Sequence, residues 1–235
     1  MKVRSKKILS IILFTTTILN TVNAQNDESS GWLFLSHSQK INSNWSYMTD
    51  VQLRTSPTFS YLKNVLVRPG LIYNINDQHA IGLGYTYFAT WDKTEIANTF
   101  EPEDRIFEQY VFEVKLGKVN INNRLRFEQR FIKKTTQNIF AQRLRYLIQA
   151  KFQLNNDTHF KQGWYLNLQN EFFLNVQHKE KINNHFTDQN RPYVGIGYRI
   201  KKGFELEFGS YYRYQIKAAS RTKELIFQLM VITDL

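Results

Sequence analysis

Residues 121–131 read Ile121-Asn122-Asn123-Arg124-Leu125-Arg126-Phe127-Glu128-Gln129-Arg130-Phe131. Ile121, Leu125, Phe127 and Phe131 fall on one parity, and Asn122, Arg124, Arg126, Glu128 and Arg130 on the other. Exchange at period two is the pattern of a strand with two unlike faces. The same split recurs on both sides of this stretch. Trp45, Tyr47, Val51 and Leu53 oppose Ser46, Asp50, Gln52 and Arg54; Leu144, Tyr146, Ile148 and Phe152 oppose Arg143, Arg145, Gln149 and Lys151. Further along, Trp164, Leu166, Leu168 and Phe172 oppose Asn167, Gln169 and Glu171, and the closing segment sets Leu225, Phe227, Leu229 and Val231 against Glu224 and Gln228. No segment carries a helical period.

About eleven such segments follow one another: 32–39, 45–56, 61–74, 79–91, 104–117, 121–133, 139–154, 163–177, 189–200, 204–217 and 222–235. Most are twice the usual strand length of about five or six residues. At roughly 3.3 Å per residue, twelve residues make about 40 Å, and a tilt of about 40° leaves about 30 Å along a membrane normal. A soluble sandwich calls for shorter strands and more Gly and Pro turns than the 10 Gly and 4 Pro present. The pattern predicts an all-β fold, a transmembrane antiparallel β-barrel of ten to twelve strands. Tight connections at 40–44, 75–78, 117–120 and 201–203 alternate with longer ones at 92–103, 133–138, 178–188 and 218–222, with the eight residues 155–162 on the tight-turn side. Short turns face the periplasm in outer-membrane barrels, so the longer set is expected outside and Leu235 inside. Bacterial single-chain barrels have even strand numbers, which makes eleven awkward. Either 25–39 holds a second short strand, giving twelve, or the Trp32 segment is no full strand, giving ten.

Composition agrees with a lipid-facing surface. The chain has 235 residues, 18 Phe, 13 Tyr and 4 Trp, or 15% aromatic, and a mean hydropathy of -0.45. Such an aromatic excess suits either stacking surfaces for nucleic acid or girdles at a lipid interface. The amino terminus separates the two. Lys2, Arg4, Lys6 and Lys7 precede an apolar stretch from Ile8 to Leu19, and Val22-Asn23-Ala24 supplies small residues before Gln25. That order is the order of a secretory signal peptide, so residues 1–24 are expected to be removed and 25–235 to form the barrel. The basic excess, +11 overall, survives that loss, but export leaves no nucleic-acid partner. The chain has no cysteine, so disulfides cannot stabilise it in an oxidising compartment.

Trp32 with Trp45, Val67-Arg68-Pro69-Gly70-Leu71-Ile72-Tyr73 and Gly82-Leu83-Gly84-Tyr85 occur in that order along the first strands. They are followed by Arg124-Leu125-Arg126-Phe127-Glu128-Gln129-Arg130, Arg143-Leu144-Arg145-Tyr146, Asn170-Glu171-Phe172-Phe173, and Gln189-Asn190-Arg191 with Gly195-Ile196-Gly197-Tyr198. In these motifs and their order the chain resembles the outer-membrane barrel family catalogued as domain of unknown function 2490. What the resemblance implies is a barrel in the outer membrane of a gram-negative bacterium, surrounded by lipid and lipopolysaccharide and delivered by the barrel-assembly machinery. It brings no established activity, no cofactor and no catalytic residue. A monomer is expected.

If the apolar faces meet lipid, the polar faces line the lumen, because Arg or Lys facing lipid at the midplane costs about 2–4 kcal/mol. The candidate lumen-lining set is Arg54, Arg68, Arg124, Arg126, Glu128, Arg130, Arg143, Arg145, Glu171, Arg191, Arg199 and Arg213. Two readings stand side by side. One is a plug of Arg and Glu pairs filling a narrow barrel; the other is a small porin-like pore whose guanidinium forks favour anionic solutes. An enzyme acting on lipid or lipopolysaccharide is the alternative from another class. The histidines give it little support, since His37 lies on the opposite parity to Ser36 and Ser38, while His79, His159, His178 and His185 fall in turns and loops. No metal-ligand spacing is present. Trp45, Trp91, Trp164, Tyr73, Tyr85, Tyr87, Tyr198, Tyr212 and Tyr214 are expected to form interface girdles. Gly82, Gly84, Gly195 and Gly197, on polar faces, are expected to make room for arginines or for a bend.

Overall fold

The computed structural model describes residues 28–93, 98–155 and 160–235. The predicted signal peptide and His159 lie outside the described residues. Eleven strands follow one another: β1 (Glu28–Lys40), β2 (Trp45–Thr55), β3 (Leu62–Asn74), β4 (His79–Lys93), β5 (Asn98–Leu116), β6 (Val119–Lys133), β7 (Asn138–Gln153), β8 (Gly163–Gln177), β9 (Thr187–Lys201), β10 (Phe204–Ile216) and β11 (Arg221–Asp234). Each pairs antiparallel with the strand before and after it, and β1 meets β11 to close the barrel. Closure leaves no edge strand with unpaired backbone groups.

The closing pair is parallel, in register from Glu28↔Glu224 to Ser38↔Asp234. The barrel therefore has an odd number of strands, and neither way of reaching an even number applies. Residues 28–40 form one continuous strand, because a parallel ladder satisfies the backbone as an antiparallel one does, with slanted bonds. At its far end Lys40 N–H donates to Leu235 O at 2.8 Å, and Leu235 N–H donates to Ser38 O at 3.0 Å. Leu235 thus sits at the end of the short turns, and Glu28 at the end of the longer connections.

The strands at that second end run further than expected. The predicted loop at 92–103 is largely ladder, with Trp91↔Phe100, Asp92↔Thr99 and Lys93↔Asn98 in register. Trp91 and Phe100 pack there with ring centroids 5.2 Å apart. The connection between β8 and β9 keeps a loop, which folds over the barrel mouth. Ile182 packs against Ile132, Ile139 and Ala141, and Asn183 Nδ2 donates to Ile216 O at 2.8 Å.

Outward-facing positions are apolar and exposed around the whole barrel, among them Leu35, Leu71, Leu83, Leu125, Leu168, Phe208 and Leu229. Aromatic pairs mark both rims. Trp45–Tyr73 (5.0 Å) and Trp164–Tyr198 (4.9 Å) stand near the short turns, Trp91–Phe100 and Phe131–Phe140 (both 5.2 Å) near the longer connections. Glu108, bonded by Gln129 at 3.2 Å, is a carboxylate exposed on this outer face.

Gly84, Gly195 and Gly197 leave room for rings rather than for arginines, and Gly82 leaves room for Ile72 and Gln109. A Cβ on Gly84 would lie 2.3 Å from Phe107 Cζ, and one on Gly197 would lie 2.2 Å from Tyr165 Cζ. The rings approach the bare backbone because nothing projects from it, and the guanidinium of Arg126 lies over Phe107, 4.4 Å from its centroid.

Candidate functional site

The inner wall of the barrel encloses a cavity of about 670 Å³, lined chiefly by polar side chains. Its β5–β8 side is a network of ion pairs. Glu128 accepts from Arg143 (Nη2, 2.6 Å) and Arg145 (Nη1, 2.6 Å); Arg145 continues to Glu171 (2.7 Å), which also takes Arg124 (2.8 Å). Arg143 reaches Asp188 at 3.1 Å. Glu103 is clamped by Arg105 (2.7 Å) and Arg130 (2.6 Å). Elsewhere Arg68 pairs with Asp50 at 2.8 Å, and Arg213 with Glu224, which Ser30 also hydrogen-bonds. Removing one partner of a buried pair costs about 3–5 kcal/mol, so this side is a rigid scaffold.

Three buried arginines have no carboxylate partner among the described residues. Arg54 donates from Nε and Nη2 to Gln52 Oε1 at 3.1 and 2.5 Å. Arg191 treats Gln189 Oε1 in the same way, at 2.9 and 2.5 Å, and Arg126 treats Gln109 Oε1 so at 3.0 and 2.6 Å. Each is also stacked on an aromatic ring: Arg54 over Trp32 (3.9 Å), Arg126 over Phe107 (4.4 Å), Arg191 over Phe173 (4.4 Å) and Trp32 (5.3 Å). A desolvated cation–π contact contributes about 2 kcal/mol, and a hydrogen bond to a charged group about 1.5–3. Neither supplies a negative charge.

Rings and guanidiniums alternate along the wall. Arg105 lies 4.6 Å from the Phe88 centroid, Phe88 5.5 Å from Arg54, and Trp32 joins Arg54 to Arg191. Phe173 then joins Arg191 to Arg145, 4.6 Å from its centroid. Tyr211 flanks Trp32 at 5.7 Å and packs against Tyr193 at 4.5 Å with the rings tilted. The belt holds each guanidinium plane fixed, leaving only in-plane N–H groups for further contacts.

Of the candidates named from the sequence, Arg54, Arg68, Arg124, Arg126, Arg130, Arg143, Arg145, Glu171, Arg191 and Arg213 line the cavity. Glu128 is buried behind them, between Arg143 and Arg145. Arg199 stands apart near the short turns, bonding Glu205 (2.8 Å) and Phe160 O (2.8 Å). Sequence reasoning missed Arg105 with its clamp Glu103, the three glutamines, and the interior aromatics Trp32, Phe88, Phe107 and Phe173. The signal was present: Phe173 shares the parity of Glu171 and Asn175, and Trp32 that of Ser30. Glu113 accepts from Asn120 near a short turn, away from the ion-pair network.

The histidines are dispersed. His37 Nδ1 lies 2.7 Å from Thr233 Oγ1, His79 Nδ1 lies 2.6 Å from the Tyr110 hydroxyl, and His178 Nδ1 lies 3.0 Å from Phe140 O. Among the described residues no His, Asp and Glu groups stand in metal-ligating arrangement. No curated protein and no solved structure matches the chain significantly. The family described as protein of unknown function (DUF2490) matches residues 29–224, nearly all of the described barrel, and the chain belongs to it.

Proposed function

We propose that the protein is an outer-membrane barrel whose interior admits small anionic solutes, acting as a narrow selective pore. Insertion in a bilayer is supported by the apolar outer face, by the aromatic pairs at both rims and by the absence of a free sheet edge. The observation that carries the anion preference is the burial of Arg54, Arg126 and Arg191 without carboxylate partners beside the cavity. A buried unpaired cation carries a desolvation penalty of several kcal/mol. Mobile anions and water in the cavity relieve it. The cavity volume falls in the range of about 300–1,000 Å³ that small-molecule sites occupy. The paired β5–β8 side keeps the wall from collapsing onto that space.

Reconstitution of the mature chain in planar bilayers under a salt gradient tests this reading. The expected result is a small conductance whose reversal potential favours the anion. Absence of conductance together with absence of anion preference in vesicle uptake sinks it.

A further inference from the structure

We propose that Arg54 and Arg191, which share the ring of Trp32, form a binding site for one small dianionic oxyanion, a phosphate or a dicarboxylate. The proposal rests on the anion reading above and adds a place and a preferred charge.

The sequence places Gln two residues before Arg on the same face in Gln52-Leu53-Arg54 and Gln189-Asn190-Arg191, and Glu in the same position in Glu103-Asp104-Arg105. In all three, Nε and Nη2 of the arginine turn back onto the residue two positions earlier. The chain therefore uses one fork in two charge states. It is neutralised at Arg105 and left positive at Arg54 and Arg191, and these two positive forks share one indole.

With Nε and Nη2 spent on glutamine, Nη1 of Arg54 and of Arg191 has no hydrogen-bond partner among the described residues. Neither atom is sealed in the wall, and both residues line the cavity. Stacking fixes both planes, so the two free N–H edges are set before any ligand arrives, which removes the ordering cost of binding. Arg213 lies beside both, but its charge is met by Glu224. Guanidinium edges are matched to carboxylate and phosphate oxygens. Two fixed cationic edges select two negative charges over one.

Calorimetry on the purified mature barrel in detergent at pH 8, with inorganic phosphate, succinate and acetate as probes, decides it. Phosphate or succinate is expected to bind at least tenfold more tightly than acetate, and the better of the two names the oxyanion. The double variant Gln52→Glu, Gln189→Glu keeps the fork geometry and cancels its charge, so it is expected to weaken that binding at least tenfold. Heat-modifiable migration on gels checks that the variant remains a barrel. If it does not fold, the comparison of dianion with acetate on the unaltered chain still decides. Equal binding of acetate and dianions, or dianion binding unchanged in a folded double variant, overturns the site. If anion-selective conductance persists in that case, the pore reading survives; if selectivity is also missing, both fall.

Discussion

The guanidinium of Arg54 lies over the indole of Trp32, 3.9 Å from the ring centroid, and the two residues are also directly opposed in the ladder between β1 and β2. One contact therefore joins the closing strand to the interior charge. Replacing Trp32 by Ala removes the shared platform of Arg54 and Arg191 and is expected to destabilise the barrel by about 3–5 kcal/mol. Trp32→Phe, which keeps a ring there, is expected to cost less than half as much. Urea titration of the folded band on unheated gels measures both.

Glu128 stands between Arg143 and Arg145, almost fully buried. Glu128→Gln leaves two guanidiniums facing a neutral amide and is expected to cost about 3–5 kcal/mol. Glu113→Gln, at an exposed carboxylate bonded only to asparagines, is expected to change stability by less than about 0.5 kcal/mol. Equal losses in the same titration would contradict the division between a paired wall and a solvated rim.

Gly84 has no room for a side chain, because the Phe107 ring and the backbone oxygen of Pro69 both crowd the place where a Cβ would stand. Gly84→Ala forces that ring, and Arg126 stacked on it, to move, with an expected cost of about 1–3 kcal/mol. Combining Gly84→Ala with Phe107→Leu is expected to cost less than the sum of the single changes. Additive losses would mean that the ring and the glycine do not share one space.

The chain's lack of cysteine makes the seam easy to test. Leu33 and Leu229 are register partners across β1 and β11. A Leu33→Cys, Leu229→Cys pair is expected to cross-link on mild oxidation, while Leu33→Cys with Leu225→Cys, two ladder positions of the same parity away, is not. Cross-linking of the second pair alone would require a different register.

The period-two pattern and the unusual segment length made the strands and their faces readable, and β8 (Gly163–Gln177) begins and ends where alternation starts and stops. Direction of closure was not readable, since alternation in 28–40 is the same whether its neighbour runs parallel or antiparallel. The aromatics misled in part. Phe and Trp suggest lipid by type, yet parity puts Trp32 and Phe173 inside, where guanidinium faces replace water over their rings. The Gln-x-Arg spacing was visible at 52–54 and 189–191, but its meaning depends on the fork closing back along the strand, a side-chain conformation that spacing alone does not set.

The parallel seam also sets the order of events in folding. Ten of the barrel's ladders join strands adjacent in sequence, and each can form by local chain reversal. The eleventh joins residues such as His37 and Thr233, 196 positions apart. Bringing such distant segments together carries the largest loop-closure entropy and is slow unless the intervening chain is already shortened by structure. Joining of β1 to β11 is therefore expected last, as a single kinetic step. Until it occurs, the Arg54 fork on β2 and the Arg191 fork on β9 stay apart, so closure of the ladder and the meeting of these two forks at Trp32 are one event.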